Sequence, residues 1–251
     1  MSELEGSEES LAFASGMGAI ACTLLQLCEH GDHIVASDTV YGGTHALLND
    51  MFPSMGITTT FVDPADTAAF AAAIRPETKV VYTEVLANPT LKVSDIPALA
   101  DLAHAAGAAL VVDNTFTPCV ISPAQLGADV VVHSLTKFIN GASDIVAGAV
   151  CASQDFVHEL MDLHTGRVML LGPTMDPRTA FDVMQRVPHL PLRMREHSRR
   201  ASVIAARLEE IGAPVSYPGL PSHPQHQRFA DLSNAGYGFG GMLTLDCSTK
   251  E

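Results

Sequence analysis

The sequence predicts an α/β fold: a mostly parallel sheet with helices on both faces, followed by the start of a smaller C-terminal domain. Two observations carry this. Short β-branched runs alternate with helical patterns from His33 to Cys151, the spacing of strand–helix–strand units. Runs such as Leu110-Val111-Val112 and Val130-Val131-Val132 are wholly apolar, as parallel strands buried on both faces must be.

The elements follow in order. Ser7–Leu11 reads as helix, because Glu8-Glu9-Ser10 is polar, and Ala14–Gly18 reads as a loop opening a helix over Ala19–Glu29. His33–Ser37 is a strand, and a helix runs from about Gly43 to Phe52. Ile57–Val62 is a strand, Thr67–Ile74 a helix, Lys79–Glu84 a strand, Pro97–Ala106 a helix and Ala109–Asp113 a strand. Pro123–Leu126 makes a short turn of helix, Asp129–His133 a strand, and Val146–Cys151 closes the alternation. A helix over 178–187 precedes a basic amphipathic segment, Arg193–Glu210, long enough to bridge two domains. The tail from Pro214 is rich in Pro, Gly and His and ends in a strand, Gly241–Asp246, that finds no partner in the preceding pattern. Residues 1–190 therefore read as one large domain, and residues 191–251 as a linker helix and an incomplete second domain.

Composition narrows the function. With 47% hydrophobic and 17% charged residues in 251, the chain can bury a large core. A net charge of −14 argues against a nucleic-acid or anionic-membrane surface, although backbone N–H groups at a helix start can still hold a phosphate. Cys22, Cys28, Cys119, Cys151 and Cys247 form no metal-spaced set and read as reduced thiols. His223 and His226 flank Pro224-Gln225 and read as a loop, with no metal expected. The opening Met1-Ser2-Glu3-Leu4-Glu5 is acidic where a secretory leader is basic, and no apolar run reaches membrane-span length. A cytoplasmic protein with no nucleic-acid or membrane partner is expected.

The chemistry is concentrated at two strand ends. Val111-Val112 ends in Asp113, and Val130–His133 is followed by Ser134-Leu135-Thr136-Lys137. An amine, a carboxylate and two hydroxyls are what a protein needs to hold pyridoxal 5′-phosphate. The amine takes the aldehyde as a Schiff base, the carboxylate keeps the pyridine nitrogen protonated, and the hydroxyls bond the phosphate. The rival reading is a solvated surface lysine beside an Asp that only forms a turn. Two features weigh against it: the wholly apolar strand upstream, and the small, flexible run Asn140–Gly148 downstream.

Other motifs admit rivals too. Gly16-Met17-Gly18-Ala19-Ile20-Ala21 fits the dinucleotide fingerprint, with Asp38 twenty residues past Gly18. That fingerprint should follow a buried strand, and Glu8–Phe13 reads as polar helix, so a monophosphate cradle is preferred to a nicotinamide site. A purely structural helix-start loop is the third reading. Tyr41, between Val40 and Gly42-Gly43, can lie flat on a planar cofactor or serve as a half-buried packing residue. Glu84 and Asn88 stand past another strand end, where ligands gather in open α/β sheets, although Asn88-Pro89 also suits a turn.

These residues together resemble the cystathionine/methionine (trans-sulfuration) family of PLP-dependent enzymes, with the aspartate aminotransferase-like fold (PLP fold type I). The matching motifs are Ala14-Ser15-Gly16-Met17, Val40-Tyr41-Gly42-Gly43-Thr44, Ala87-Asn88-Pro89-Thr90, Val112-Asp113-Asn114-Thr115-Phe116 and Ser134-Leu135-Thr136-Lys137-Phe138. Four segments are most similar to the plant-type methionine γ-lyase branch of that family: Tyr41–Leu48, Met169–Met175, Leu192–Ser198 and Tyr217–His226. Microbial methionine γ-lyases, by contrast, carry Cys where this chain has Gly43, and a Gly there is shared with cystathionine γ-lyases and γ-synthases.

The resemblance implies roles. Lys137 is the Schiff-base lysine and moves protons at Cα and Cβ, and Asp113 pairs with the pyridinium nitrogen. Backbone N–H groups of Gly16 and Met17, with the Ser134 and Thr136 hydroxyls, hold the phosphate, and Thr115 completes the cofactor set. Tyr41 stacks on the ring and acts as acid for the leaving thiolate, Asn88 bonds the 3-oxygen, and Glu84 supports it. The implied reaction is γ-elimination of L-methionine to methanethiol, 2-oxobutyrate and ammonia, by a homotetramer built as a dimer of dimers. The alternatives are activity on cystathionine or an O-acylhomoserine, or an inactive fragment. The family's Tyr-x-Arg phosphate motif has no match here, and its substrate-carboxylate arginine would fall beyond residue 251. Truncation at both ends, with weak cofactor binding, is therefore expected.

Overall fold

In a computed structural model, the structure describes residues 1–247. Helices α1 (Ser2–Glu5), α2 (Gly16–Leu27), α3 (Gly42–Ala46), α4 (Thr67–Ala73) and α5 (Ile96–Ala105) occupy the first half. Helices α6 (Gln154–Leu160), α7 (Arg167–Leu171), α8 (Pro177–Arg186), α9 (Leu190–Glu210) and α10 (His226–Leu232) follow. The strands are β1 (Glu9–Phe13), β2 (His33–Ser37), β3 (Thr58–Val62), β4 (Thr78–Glu84), β5 (Ala109–Asp113), β6 (Val130–Ser134), β7 (Gly148–Ala152), β8 (Val215–Ser216) and β9 (Thr244–Leu245).

Seven strands form one sheet in the order β1-β7-β6-β5-β4-β2-β3. The ladders β3–β2, β2–β4, β4–β5 and β5–β6 are parallel. Strand β7 runs against β6 on one side and β1 on the other. Alternate residues point to opposite faces, and the core divides accordingly. Val80, Tyr82, Val111, Val130 and Val132 pack against Ala19, Ile20 and Leu24 of α2. Val81, Leu110, Val112 and Val131 pack against Ile96, Leu99 and Ala103 of α5. Burying each such aliphatic side chain contributes roughly 1.5–3 kcal/mol, so the sheet is a rigid platform for the loops at its ends.

The β2 and β5 bounds match the pattern residue for residue, and the other central elements agree within a residue or two, except that α2 begins at Gly16, inside the loop expected over Ala14–Gly18. Three expectations are corrected. The helix expected over Ser7–Leu11 is strand β1, which pairs antiparallel with β7 from Glu9↔Ala152 to Phe13↔Gly148. It lies at the sheet edge, where water solvates polar residues such as Glu9 and Ser10. The helix expected from Gly43 to Phe52 is a regular turn in α3, a wider π turn over Leu47–Met51 and a tighter 3₁₀ turn over Phe52–Met55. The strand expected at Gly241–Asp246 is two residues long and does find a partner, with Ser216↔Thr244 and Val215↔Leu245. Helices α1, α6, α7 and α10 were not anticipated, and His226, expected in a loop, opens α10 with its ring stacked 4.8 Å from that of Phe239.

A buried polar clamp joins the N-terminal turn to the sheet. Glu5 Oε1 accepts from Asn114 Nδ2 and from His133 Nε2, each at 2.8 Å. All three side chains are buried. The sequence separations are 109 and 128 residues.

Candidate active site

The carboxyl ends of β4, β5 and β6 and the start of α2 enclose a cavity of about 190 Å³. Pleat alternation sends Glu84, Asp113 and Ser134 to the α2 face of the sheet, where they meet Gly16 and Met17. Tyr41, Thr115, Thr136 and Lys137 complete the wall. Nine of the ten residues singled out from sequence therefore converge on one cavity. Asn88 stands outside its lining, exposed, where a cis peptide bond leads into Pro89. Ser15, Ile20, Phe116 and Val146 also line the cavity without having been singled out.

Each side chain is placed by local chemistry. Ser15 is extended and its hydroxyl accepts from Gly18 N at 3.0 Å, capping α2. The free N–H groups of that first turn open toward the pocket, the arrangement that binds phosphate. Glycine is required beside them. A methyl group on Gly16 would sit 2.8 Å from Ser134 Cβ, and one on Gly148 would sit 2.2 Å from the Ser15 carbonyl oxygen.

Thr115 fastens β5 to β6: its N–H donates to Asp113 Oδ1 at 2.9 Å, and its hydroxyl accepts from Ser134 N at 2.8 Å. Thr136 Oγ1 accepts from Ala147 N at 3.1 Å and lies 3.2 Å from Ala147 O. The turn after Lys137 is pinned from α9. Arg193 donates to Ile139 O at 2.8 Å and also to Phe138 O. Arg186 meets Asp144 at 2.6 Å and bonds Asn140, and with Asn140 it holds the Asp144 carboxyl down at about 2. Sequence reasoning passed over both arginines, since only the fold shows them returning to the lysine loop.

Two buried carboxyls dominate the electrostatics. Burial and the neighbouring Asp113 push Glu84 up to about 8, while the Tyr41 and Asn88 backbone N–H groups pull it down. Burial also raises Asp113, against the opposing pull of the Thr115 hydroxyl and N–H and of His133 on the far face. A pocket with a raised acid pair and an amine on the opposite wall is suited to a ligand that carries both a cationic nitrogen and a carbonyl. The four buried cysteines are held as thiols: burial pushes Cys22 and Cys119 to about 11 and Cys28 and Cys151 to about 12.

The donor set fits pyridoxal phosphate. A glycine-lined helix start faces the Ser134 and Thr136 hydroxyls. Lys137 reaches the same cavity, and the Asp113 carboxyl opens into it with no cationic side chain bonded to it among the described residues.

Comparison with known proteins agrees. A family profile described as Cys/Met metabolism PLP-dependent enzyme matches residues 1–251. The chain is 54% identical to methionine gamma-lyase from Arabidopsis thaliana, covering 100% of this chain and 57% of that protein. It is 40% identical to cystathionine gamma-lyase from Bacillus subtilis, covering 100% of this chain and 65% of that one. It superposes on the crystal structure of metB from Corynebacterium glutamicum with a TM-score of 0.92 at 36% identity, over 97% of this chain and 63% of that one. The chain thus spans less than two thirds of the length of each of these relatives.

Proposed function

The chain belongs to the Cys/Met metabolism PLP-dependent enzyme family, with the aspartate aminotransferase-like fold, and on that footing we propose that it serves γ-elimination of L-methionine. One observation supports this reading most. The cavity gathers an amine, a ring-facing carboxylate, a phenol and a phosphate cradle, in a chain more similar to a methionine gamma-lyase than to a cystathionine gamma-lyase, 54% against 40%.

Pyridoxal phosphate, when bound here, supplies an electron sink conjugated to the substrate's Cα. Lys137 is the residue placed to hold the cofactor's aldehyde carbon and to carry a proton between Cα and Cβ. Asp113 holds the ring nitrogen by a charge-assisted hydrogen bond. The Gly16 and Met17 N–H groups, with Ser134 and Thr136, hold the phosphate. Tyr41 lies at the rim, 55% exposed, placed to cover the ring and give its phenolic proton to the leaving sulfur. Its loop is fixed from below by the Tyr41 N–H bond to Glu84, 2.6 Å long.

Residues 191–251 form the beginning of a second domain in this reading, with α9 as the link. Ala201 and Ala205 of α9 share a small separate core with Tyr217 and Leu220, which favours it. Assembly with further copies is also part of the proposal. Met169, Leu170 and Leu171 on α7, and Phe181 and Met184 on α8, leave 48–69% of their surface open, more apolar exposure than two short helices of a monomer usually carry. The expected compartment is the cytoplasm. No helix among the described residues is long and apolar enough to cross a membrane.

The test is a side-by-side assay of methionine, cystathionine and O-acetylhomoserine, read as 2-oxobutyrate released. Methionine should give the highest kcat/KM. A preference for cystathionine would move the chain to the second reading, which the shared Gly43 position favours.

A further inference from the structure

Glu84 and Asp113 are direct partners across the β4–β5 ladder. The pleat sends both carboxyls to the same face and into one cavity. Among the described residues, Glu84 is held by the Tyr41 and Asn88 backbone N–H groups, and Asp113 by the Thr115 N–H and hydroxyl. The other groups turned toward the pair are Tyr82 and Thr44 behind it, Lys137 on the facing wall and His133 across the sheet. Two carboxylates packed this closely share protons, because ionising both places like charges together away from water.

The two oxygens of Glu84 differ. Oε1 accepts the Tyr41 N–H at 2.6 Å, whereas Oε2 is buried and meets no partner. The residue is only 5% exposed. An ionised carboxylate would leave lone pairs on Oε2 unsatisfied beside a second negative charge, which is costly. A neutral acid removes that second charge.

We infer that Glu84 is a positioning residue that stays protonated while Asp113 is ionised, so that the pocket offers a ring ligand one negative charge instead of two. The protonation follows from packing alone; only the identity of the ligand rests on the pyridoxal-phosphate reading. Glu84 loses its proton as the pH passes about 8. A second charge then faces an anionic, phosphate-bearing ligand.

The test has two arms. Infrared difference spectra of the cofactor-free protein, taken between about pH 6 and about pH 9, read the C=O stretch of a protonated carboxylic acid. The stretch should be present at neutral pH, fade toward the alkaline end, and be absent from Glu84→Gln. In the second arm, pyridoxal phosphate is titrated by absorbance. Wild-type affinity should fall roughly tenfold across the alkaline step, a shift of about one pKa unit in linkage. Glu84→Gln mimics the neutral acid and should keep the neutral-pH affinity without the alkaline loss. If the neutral-pH spectrum shows no acid band assignable to Glu84, the inference is overturned. It is equally overturned if a folded Glu84→Gln protein, checked by circular dichroism, loses tenfold affinity at neutral pH. A wild-type protein that shows the band but binds no pyridoxal phosphate sustains the inference about Glu84 and removes the cofactor reading.

Discussion

Gly148 opens β7 so close beneath Ser15 that a methyl group built on it would lie 2.2 Å from the Ser15 carbonyl oxygen and 2.8 Å from Gly16 N. Both contacts are to backbone, so no side chain can swing aside. Gly148→Ala should push the start of α2 away from β7 and destabilise the protein by about 1–3 kcal/mol. Pyridoxal phosphate affinity should fall at least about tenfold, since a loss of 1.4 kcal/mol at the cradle suffices. Gly42→Ala, where a methyl group meets nothing within 4 Å, should leave stability within about 0.5 kcal/mol. Chemical denaturation of both variants checks the contrast.

Lys137 should be the residue labelled when the cofactor-loaded protein is reduced with borohydride and mapped by peptide mass. Neither Lys79 nor Lys92 lines the cavity, and Lys92 is engaged by Asp63 at 2.6 Å. A label on either of them would remove Lys137 from the site.

Asp113→Asn should leave the fold intact and cut turnover about a hundredfold or more, an effect on the order of 2–4 kcal/mol in the barrier. An amide cannot hold a ring nitrogen protonated. Single-turnover kinetics on the folded variant decide this, and unchanged rates would exclude Asp113 from the chemistry.

Arg193→Ala should free the turn after Lys137. Its bonds to the Phe138 and Ile139 carbonyls come from a charged donor, and such bonds contribute roughly 1.5–3 kcal/mol each. Hydrogen exchange should accelerate over residues 137–141 more than elsewhere. Arg193→Lys should rescue it only in part, because an ammonium lacks the fork that spans two carbonyls.

The cofactor-free protein should lose stability as pH rises from about 5 to about 8. Glu84 holds its proton up to about 8 in the fold, against an ordinary value of 4.5. Between those values the unfolded chain has released a proton that the native state still binds, so unfolding becomes easier with pH. Melting temperatures across that range should show the decline, and Glu84→Gln should flatten it.

The central strands and most of the cavity were legible in the sequence because their signals are local. A β-branched run ending in Asp113, and another followed by Ser134-Leu135-Thr136-Lys137, say where the sheet ends and what stands there. What escaped depends on distant partners. Strand β1 reads as helix until β7, about 140 residues later, supplies its ladder. Thr244-Leu245 reads as unpaired until Val215-Ser216 folds beside it. Helix α6 had a readable cap, since Ser153 Oγ accepts from Phe156 N at 3.2 Å. Helix α10 lacks a side-chain cap and begins just after Pro224. The Glu84–Asp113 pairing was hidden because neither residue specifies the other; the strand register brings them together.

The long reach of β1 sets an order on synthesis. Strands β2 to β6 find their neighbours within a few dozen residues, and can begin to assemble while the ribosome is still working. Among the described residues, Glu9–Phe13 pairs with β7, with a single bridge from Phe13 to Thr174, and Glu5 is held by side chains more than 100 residues downstream. Strand β1 is therefore made well before its partner, and the phosphate cradle that begins at Ser15 can close only after Gly148 has emerged. During that interval a short strand waits without a ladder, the condition in which a chaperone or a neighbouring nascent chain competes for it.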